Sequence, residues 1–247
     1  MSAAPTAQLL VGPDGSRRLR LGDPAAGNPL SKRMVEAATK CVEDCYADAT
    51  RVLWLEGAGR HFCSGLHVKE TLRLEEDAII KHFRAIECLL SKIAYAPFVT
   101  MALVQGAAVG SGADLVVACD FRIGASRARF RFPGPQFGVA LGTRRLARRV
   151  GSQASSELVL TGRWLDAAGA LACGLLSHVA DDDANLATIA ADLTDKVTNV
   201  DGPGAAMIMS LVRGGDAARD RRDLEDSLAR PGLSDRMRAY YAAAVTP

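Results

Sequence analysis

The stretch Val104 to Asp120, VQGAAVGSGADLVVACD, constrains what this chain can fold into more than any other. An apolar run from Phe98 to Val104 reads as a buried strand. It gives way to a turn rich in Gly and Ala, then to a short apolar helix that carries Asp114 in its first turn. The N–H groups at a helix start have no internal partner, and the helix dipole is positive there. Gly106, Gly110 and Gly112 let the backbone come close to whatever binds. Peptide N–H groups beside a carboxylate suit a reaction in which a carbonyl oxygen gains negative charge.

The rest of the chain supports a substantial core: 247 residues, 49% apolar and 23% charged, as in ordinary globular proteins. A formal net charge of +2 gives no electrostatic case for nucleic acid or an anionic membrane. Arginines cluster at Arg127 to Arg131, Arg144 to Arg149 and Arg219 to Arg222, and are expected on solvated helix faces. The six cysteines are scattered, with no spacing that completes a metal set, so reduced thiols packed as small apolar side chains are expected. The start, MSAAPTAQ, lacks the charged and apolar regions of a signal peptide, and no apolar run nears the ~20 residues of a membrane span. Cytoplasm is the expected compartment.

In chain order, residues 8–11 and 18–21 alternate around GPDG as a hairpin. Ser31 is placed to cap a helix with Met34, Ala38, Cys41 and Cys45 on one face. Arg51 to Leu55 reads as a strand running into the loop EGAGRHFCSGLHVKE, and Ile79, Phe83, Ile86, Leu90 and Ile93 form a helical stripe. FRIGA and ARFRF are strand-like and PGPQFG is a loop. Residues 142–174 divide into three short helices at Gly151 and Gly162, and Leu175 to Val179 is a last strand before a helical remainder. The class is α/β, in one continuous fold with an all-helical C-terminal part.

HFCSGLHVKE and the opening stretch together resemble the paired motifs of the enoyl-CoA hydratase/isomerase (crotonase) family, FCAGADLKE and V-x-G-x-A-x-G-G-G-x-E-L-x-x-A-C-D. FRIGASRARFRFP, RRLARRVG and LTGRWLDAAGALACGLLSHV continue the resemblance in the same order. It implies a crotonase-like spiral of ββα units over residues 1–180, with a helical trimerisation region over 181–247 of the same domain. It further implies an acyl-CoA thioester as partner, a homotrimer or dimer of trimers, and no cofactor apart from the coenzyme A of the substrate. The backbone N–H groups of Leu66 and Ser111 would hold the thioester oxygen, and Ser64, Gly65, Leu66, His67 and Val68 would line the coenzyme A site. Gly112, Gly134 and Gln136 would face the acyl group, and no metal is implied.

The chain departs from the family at its carboxylates. The first of the family's two glutamates falls at Asp114, one methylene shorter, and the second falls at Gly134, which transfers no proton. Losing one of two acid–base groups is worth roughly 10²–10⁴-fold in rate, so ordinary two-glutamate hydration is not expected. Asp114 as sole acid/base is one reading, serving a proton shift or the protonation of an enolate after C–C cleavage, in a lyase or isomerase. A helix-start carboxylate satisfied by local N–H groups is the other. His67 reads either as a proton donor or phosphate contact, or as a surface residue starting the next helix. Arg131 and Gln136 flank the altered loop, where they would meet a polar or carboxylated acyl group, with the trimer contact or solvent as the other reading of Arg131, and Asp120 is expected to fix the turn after the helix. A nucleotide-binding GxGxxG is absent, since neither GAGRHF nor GSGADL supplies its third glycine. An acyl-CoA-binding or assembly protein that keeps the fold without the chemistry is the alternative from a different class.

Overall fold

A computed structural model describes residues 6–12 and 16–245 of the chain. Strands β1 (Thr6–Val11) and β2 (Arg17–Gly22) pair antiparallel as the expected hairpin, with Thr6 opposite Gly22 and Val11 opposite Arg17. Its tip, residues 13–15 of the GPDG turn, lies outside the described residues. Helix α1 (Lys32–Ala47) starts where expected: the Ser31 hydroxyl accepts from the Met34 N–H at 3.2 Å. Met34, Ala38 and Cys45 are buried, whereas Cys41 is half-buried. Strand β3 (Val52–Gly57), the single turn α2 (Val68–Thr71) and helix α3 (Glu76–Ala94) follow. The whole predicted stripe of α3 is buried.

Strand β4 (Val99–Val104) is buried at every residue, as a central parallel strand covered on both faces must be. The Gly/Ala turn expected next contains a short strand, β5 (Ala107–Val109), before α4 (Ser111–Ala118). Strands β6 (Phe121–Ala125) and β7 (Arg129–Arg131) match the two strand-like pieces, and PGPQFG closes into a 3-10 turn over Gly134–Phe137. Helix α5 (Thr143–Thr161) is broken at Gly151 (φ 76°, ψ 168°), so with α6 (Ala167–Ala172) the region holds three helical pieces. A two-residue strand, β8 (Leu165–Asp166), precedes α6, and β9 (His178–Ala180) follows it. Helices α7 (Asp183–Thr198), α8 (Gly202–Arg213), α9 (Ala217–Leu228) and α10 (Leu233–Val245) complete the chain.

Two sheets are stacked along one path. The larger runs β1-β2-β3-β4-β6-β9 and is parallel from β2 onward; the smaller runs β5-β7-β8. Successive turns of chain give one strand to each sheet and then a helix: β4, β5 and α4, then β6, β7 and α5. The loop after β3 supplies a single bridge, Cys63 to Ala108, in place of a strand in the smaller sheet. This is the spiral of ββα units, mixed α/β, that the sequence implies. None of the helices is long and apolar enough to cross a membrane among the described residues.

The arginine clusters divide. Arg219, Arg221 and Arg222 are exposed, but Arg145 is buried and Arg149 half-buried, which corrects the expectation of a solvated face for residues 144–149. Their segment packs between α3, α4 and α9, where Arg145 meets Glu87 and Asp220 at 2.5 and 3.1 Å.

Asp120 fixes the turn after α4, as expected. Its carboxylate accepts from the Thr100 N–H at 2.9 Å and takes both Nε and Nη2 of Arg213, at 2.8 and 2.6 Å. Arg213 also donates to the Phe98 carbonyl at 2.9 Å and to that of Ala96. The pair therefore fastens the end of α8 to the start of β4. Both side chains are buried, and removing one partner of a buried pair costs about 3–5 kcal/mol. Asp120→Ala should lose stability of that order in chemical denaturation, several times the loss from Arg127→Ala, whose pair with Asp183 is exposed.

Candidate active site

The site arises where two backbones come closer than side chains normally allow. The Cys63 N–H donates to the Ala107 carbonyl at 3.2 Å and the Val109 N–H to the Cys63 carbonyl at 2.9 Å. A Cβ at Gly65 (φ +83°) would stand 2.4 Å from the Val109 oxygen and 3.5 Å from the Ser111 nitrogen. One at Gly112 would stand 2.4 Å from the Cys63 oxygen. Only glycines fit both places, and they set the Gly65–Leu66 peptide beside the first turn of α4. Among the described residues, nothing accepts from the N–H of Leu66 or of Ser111.

Two buried amides hold the incoming loop. Asn28 Nδ2 donates to the carbonyls of Ala58 and His61 at 2.9 and 2.8 Å. Gln105 Nε2 donates to those of Gly57 and His61 at 2.6 and 2.9 Å. Asn28 itself is left-handed (φ 56°), the one such non-glycine among the described residues. Sequence reasoning passed over both amides; an Asn before Pro in a loop was the available signal.

The cleft beyond these peptides is narrow, with a cavity volume of about 50 Å³. Its walls are mostly apolar: Phe83, Phe132, Phe137, Val139 and Leu146, with Tyr241 arriving from α10. Asp114 also faces this cleft. It is 8% exposed, and among the described residues no group donates a hydrogen bond or ion pair to its carboxyl. The reading of Asp114 as a carboxylate satisfied by helix-start N–H groups therefore fails. Desolvation pushes its pKa up to about 7; the Arg145 charge opposes the shift and Glu87 adds to it. Gly142, at the head of α5, lies against this carboxyl, where a Cβ would come 2.1 Å from Oδ1. The Ser111 hydroxyl in the same cleft is buried and has no partner among the described residues.

The other predicted residues scatter. Ser64, Gly65, Leu66 and Gly134 line the cleft; Gly112 lies behind it, against Cys63. Gly134 opens the 3-10 turn and brings no side chain to the wall. His67 caps α2, its Nδ1 accepting from the Glu70 N–H at 3.3 Å, and Val68 is the first residue of that turn; neither lines the cleft. Gln136 points away, donating to the Leu160 carbonyl at 2.9 Å and packing on Gly162. Arg131 donates to the Gly162 carbonyl at 2.7 Å. Neither lines the cleft: Gly134, Pro135 and Phe137 of the 3-10 turn do, while Gln136 is held outward by the Leu160 carbonyl and Arg131 leaves β7 toward Gly162. This corrects the assignment of Gln136 to the substrate pocket.

Comparison with known proteins shows the family and the fold. Residues 15–216 match the family model described as enoyl-CoA hydratase/isomerase. The chain is 33% identical to an enoyl-CoA isomerase/hydratase of Mycosarcoma maydis over 179 residues, 67% of this chain and 65% of that protein. It is 32% identical over 200 residues to a Bacillus subtilis protein described as a probable enoyl-CoA hydratase, 78% of this chain and 77% of that one. The human mitochondrial methylglutaconyl-CoA hydratase is 32% identical over 162 residues, and the match spans about half of its length (48%). Among solved structures, an enoyl-CoA hydratase/isomerase-type protein of Bordetella parapertussis superposes with a TM-score of 0.91 at 30% identity, covering 96% of this chain and 98% of that one.

An acid whose pKa rises on folding binds its proton more tightly in the native state, so it favours folding at low pH. That contribution is lost as pH climbs from the unfolded value near 4 through the folded value near 7. Asp114→Asn should therefore gain stability over the parent chain as pH rises from 4 to 8, by up to roughly 4 kcal/mol for a shift of three units. Melting temperatures of the two chains across this range check it; parallel curves would contradict the burial cost.

Proposed function

The chain belongs to the enoyl-CoA hydratase/isomerase family, and from that premise we propose that it transfers protons on an enoyl-CoA or related acyl-CoA thioester through an enolate. The observation that carries the proposal is the buried carboxyl of Asp114, in one cleft with the backbone N–H groups of Leu66 and Ser111, all three without a hydrogen-bond partner among the described residues. The thioester oxygen would accept from Leu66 and Ser111 and gain charge as the enolate forms. Each such donor is worth roughly 3–4 kcal/mol when removed. Ser64 to Val68 would follow the coenzyme A moiety.

Asp114 is the acid and base in this reading. With a pKa of about 7 it exists in both forms near neutrality, which suits a group that takes a proton and returns it. As carboxylate it would remove a proton from Cα of a 3-enoyl thioester. As carboxylic acid it would return that proton at Cγ, leaving the 2-enoyl product and the enzyme unchanged. The same acid would protonate an enolate left by C–C cleavage, so the proposal covers isomerase and lyase chemistry. Gly134 offers no second acid, which disfavours water addition. The apolar walls suit an uncharged acyl group, since Arg131 and Gln136 lie outside them.

We propose no metal and no cofactor beyond the coenzyme A of the substrate. No group of three or more candidate metal ligands occurs among the described residues. Residues 181–247 would serve association into a trimer or dimer of trimers. Met207, Ile208, Leu211 and Val212 leave an apolar face exposed on α8, which supports that role.

The test is exchange in deuterium oxide. Incubated with a 3-enoyl-CoA, the protein should form the 2-enoyl isomer with deuterium at Cγ and leave deuterium at Cα of recovered substrate, as the acid exchanges its proton with solvent between the two steps. Asp114→Asn should lose at least a hundredfold in both. Crotonyl-CoA should be hydrated far more slowly than the 3-enoyl substrate is isomerised. Thioester binding without exchange or turnover on a broad panel would favour a binding or assembly protein, the alternative that Gly134 supports.

A further inference from the structure

A second cavity lies at the opposite end of α4 from Asp114, bounded by the ends of α3, α4 and α8 and by the first two turns of α5. Its cavity volume is about 270 Å³, and it opens past Val212 and Gly214, both exposed. Four guanidinium groups line it: Arg145, Arg148, Arg149 and Arg213. Their carboxylate partners number three. Glu87 and Asp220 take Arg145, Asp220 also stands 3.5 Å from Arg148, and Asp120 takes Arg213.

Arg149 is the guanidinium left without a carboxylate among the described residues. Its Nη2 donates to the Cys119 carbonyl at 3.0 Å and its Nε to that of Val117 at 3.4 Å; its Nη1 has no acceptor. Arg122 donates to the same Cys119 carbonyl at 3.0 Å and likewise has no carboxylate partner. The carbonyls closing α4 supply only the partial charge of a helix C-terminus. Burial holds Arg149 below the usual arginine range; the Asp120 charge and then the Cys119 thiol pull it up, and repulsion from Arg148 and Arg213 works against them. A positive excess is therefore enclosed around an open space, and half-buried charge of this kind costs free energy until an opposite charge joins it.

We propose that this cavity is a binding site for a small tetrahedral oxyanion of the phosphate class, held by Arg148 and Arg149 with Arg213 behind them. Guanidinium forks match phosphate oxygens in pairs. Several forks around one space suit a dianion with three or more free oxygens better than a carboxylate with two. Tyr95 narrows the space: its hydroxyl donates to Asp220 at 2.6 Å and lies 3.4 Å from Arg148 Nη2. The site is separate from the thioester cleft and shares no lining residue with it.

Titration of the full-length chain with inorganic phosphate, followed by calorimetry at constant ionic strength set with chloride, tests the assignment. Saturable binding with one phosphate per chain is expected, together with a rise in melting temperature that chloride does not give. Arg149→Leu and the more exposed Arg148→Gln should each weaken phosphate binding at least tenfold while still melting cooperatively. Binding undiminished in both variants would place the ion elsewhere, and no saturable binding at all would leave the cavity without this ligand. Either result overturns the proposal. A change of oligomeric state in Arg149→Leu with no phosphate effect would assign the cavity to an acidic side chain of a second copy, and would overturn it as well.

Discussion

The structure depends on one close approach, the backbone of Cys63 to Gly65 lying along that of Ala107 to Ser111. Any side chain at Gly65 or Gly112 would strike a carbonyl oxygen at 2.4 Å, so the loops meet only because both positions lack Cβ. The contact ties the β3 loop to the smaller sheet through the Cys63–Ala108 bridge. It also brings Leu66 and Ser111, whose N–H groups have no acceptor among the described residues, to the wall of one cleft. Asn28 and Gln105 make the approach durable, because both amides satisfy the His61 carbonyl that the tight loop would otherwise leave stranded.

The second constraint follows from the first. Helix α4 begins at the contact, so Asp114 in its first turn is carried into the apolar cleft with no donor to meet it. Beneath it, Arg145 is bound to Glu87 at 2.9 and 2.5 Å and is spent on that pair. Burial opposes the Arg145 charge, but the Glu87 hydrogen bonds and charge hold the guanidinium above its ordinary range. The result is a carboxyl poised near neutrality inside a fold whose other buried charges on this side are mostly matched. Its cost to stability is what a functional site would be expected to impose.

Much of this was legible where the signal is local. The apolar run into β4, the α3 stripe, the Ser31 cap and the position of Asp114 all rest on periodicity and capping that neighbouring residues determine. β5 was not legible, because three residues carry no period and are strands only through pairing with β7. The buried face of residues 144–149 was hidden for a related reason. Arg145 and Arg149 read as solvent-facing until Glu87, Asp220 and the end of α4, distant in sequence, are brought beside them. Gln136 missed the pocket because a 3-10 turn rotates side chains differently from the loop assumed there. Gly142 and Tyr241 reach the cleft from segments whose sequences carry no mark of it.

Direct titration of the Asp114 carboxyl bears hardest on the account. With ¹³C-labelled aspartate, the resonance that disappears in Asp114→Asn should move with an apparent pKa near 7, and a saturating non-reactive acyl-CoA thioester should perturb it. A value near 4, the ordinary range of a solvated aspartate, would contradict the claim that the fold holds this carboxyl buried, unpartnered and ready to exchange a proton.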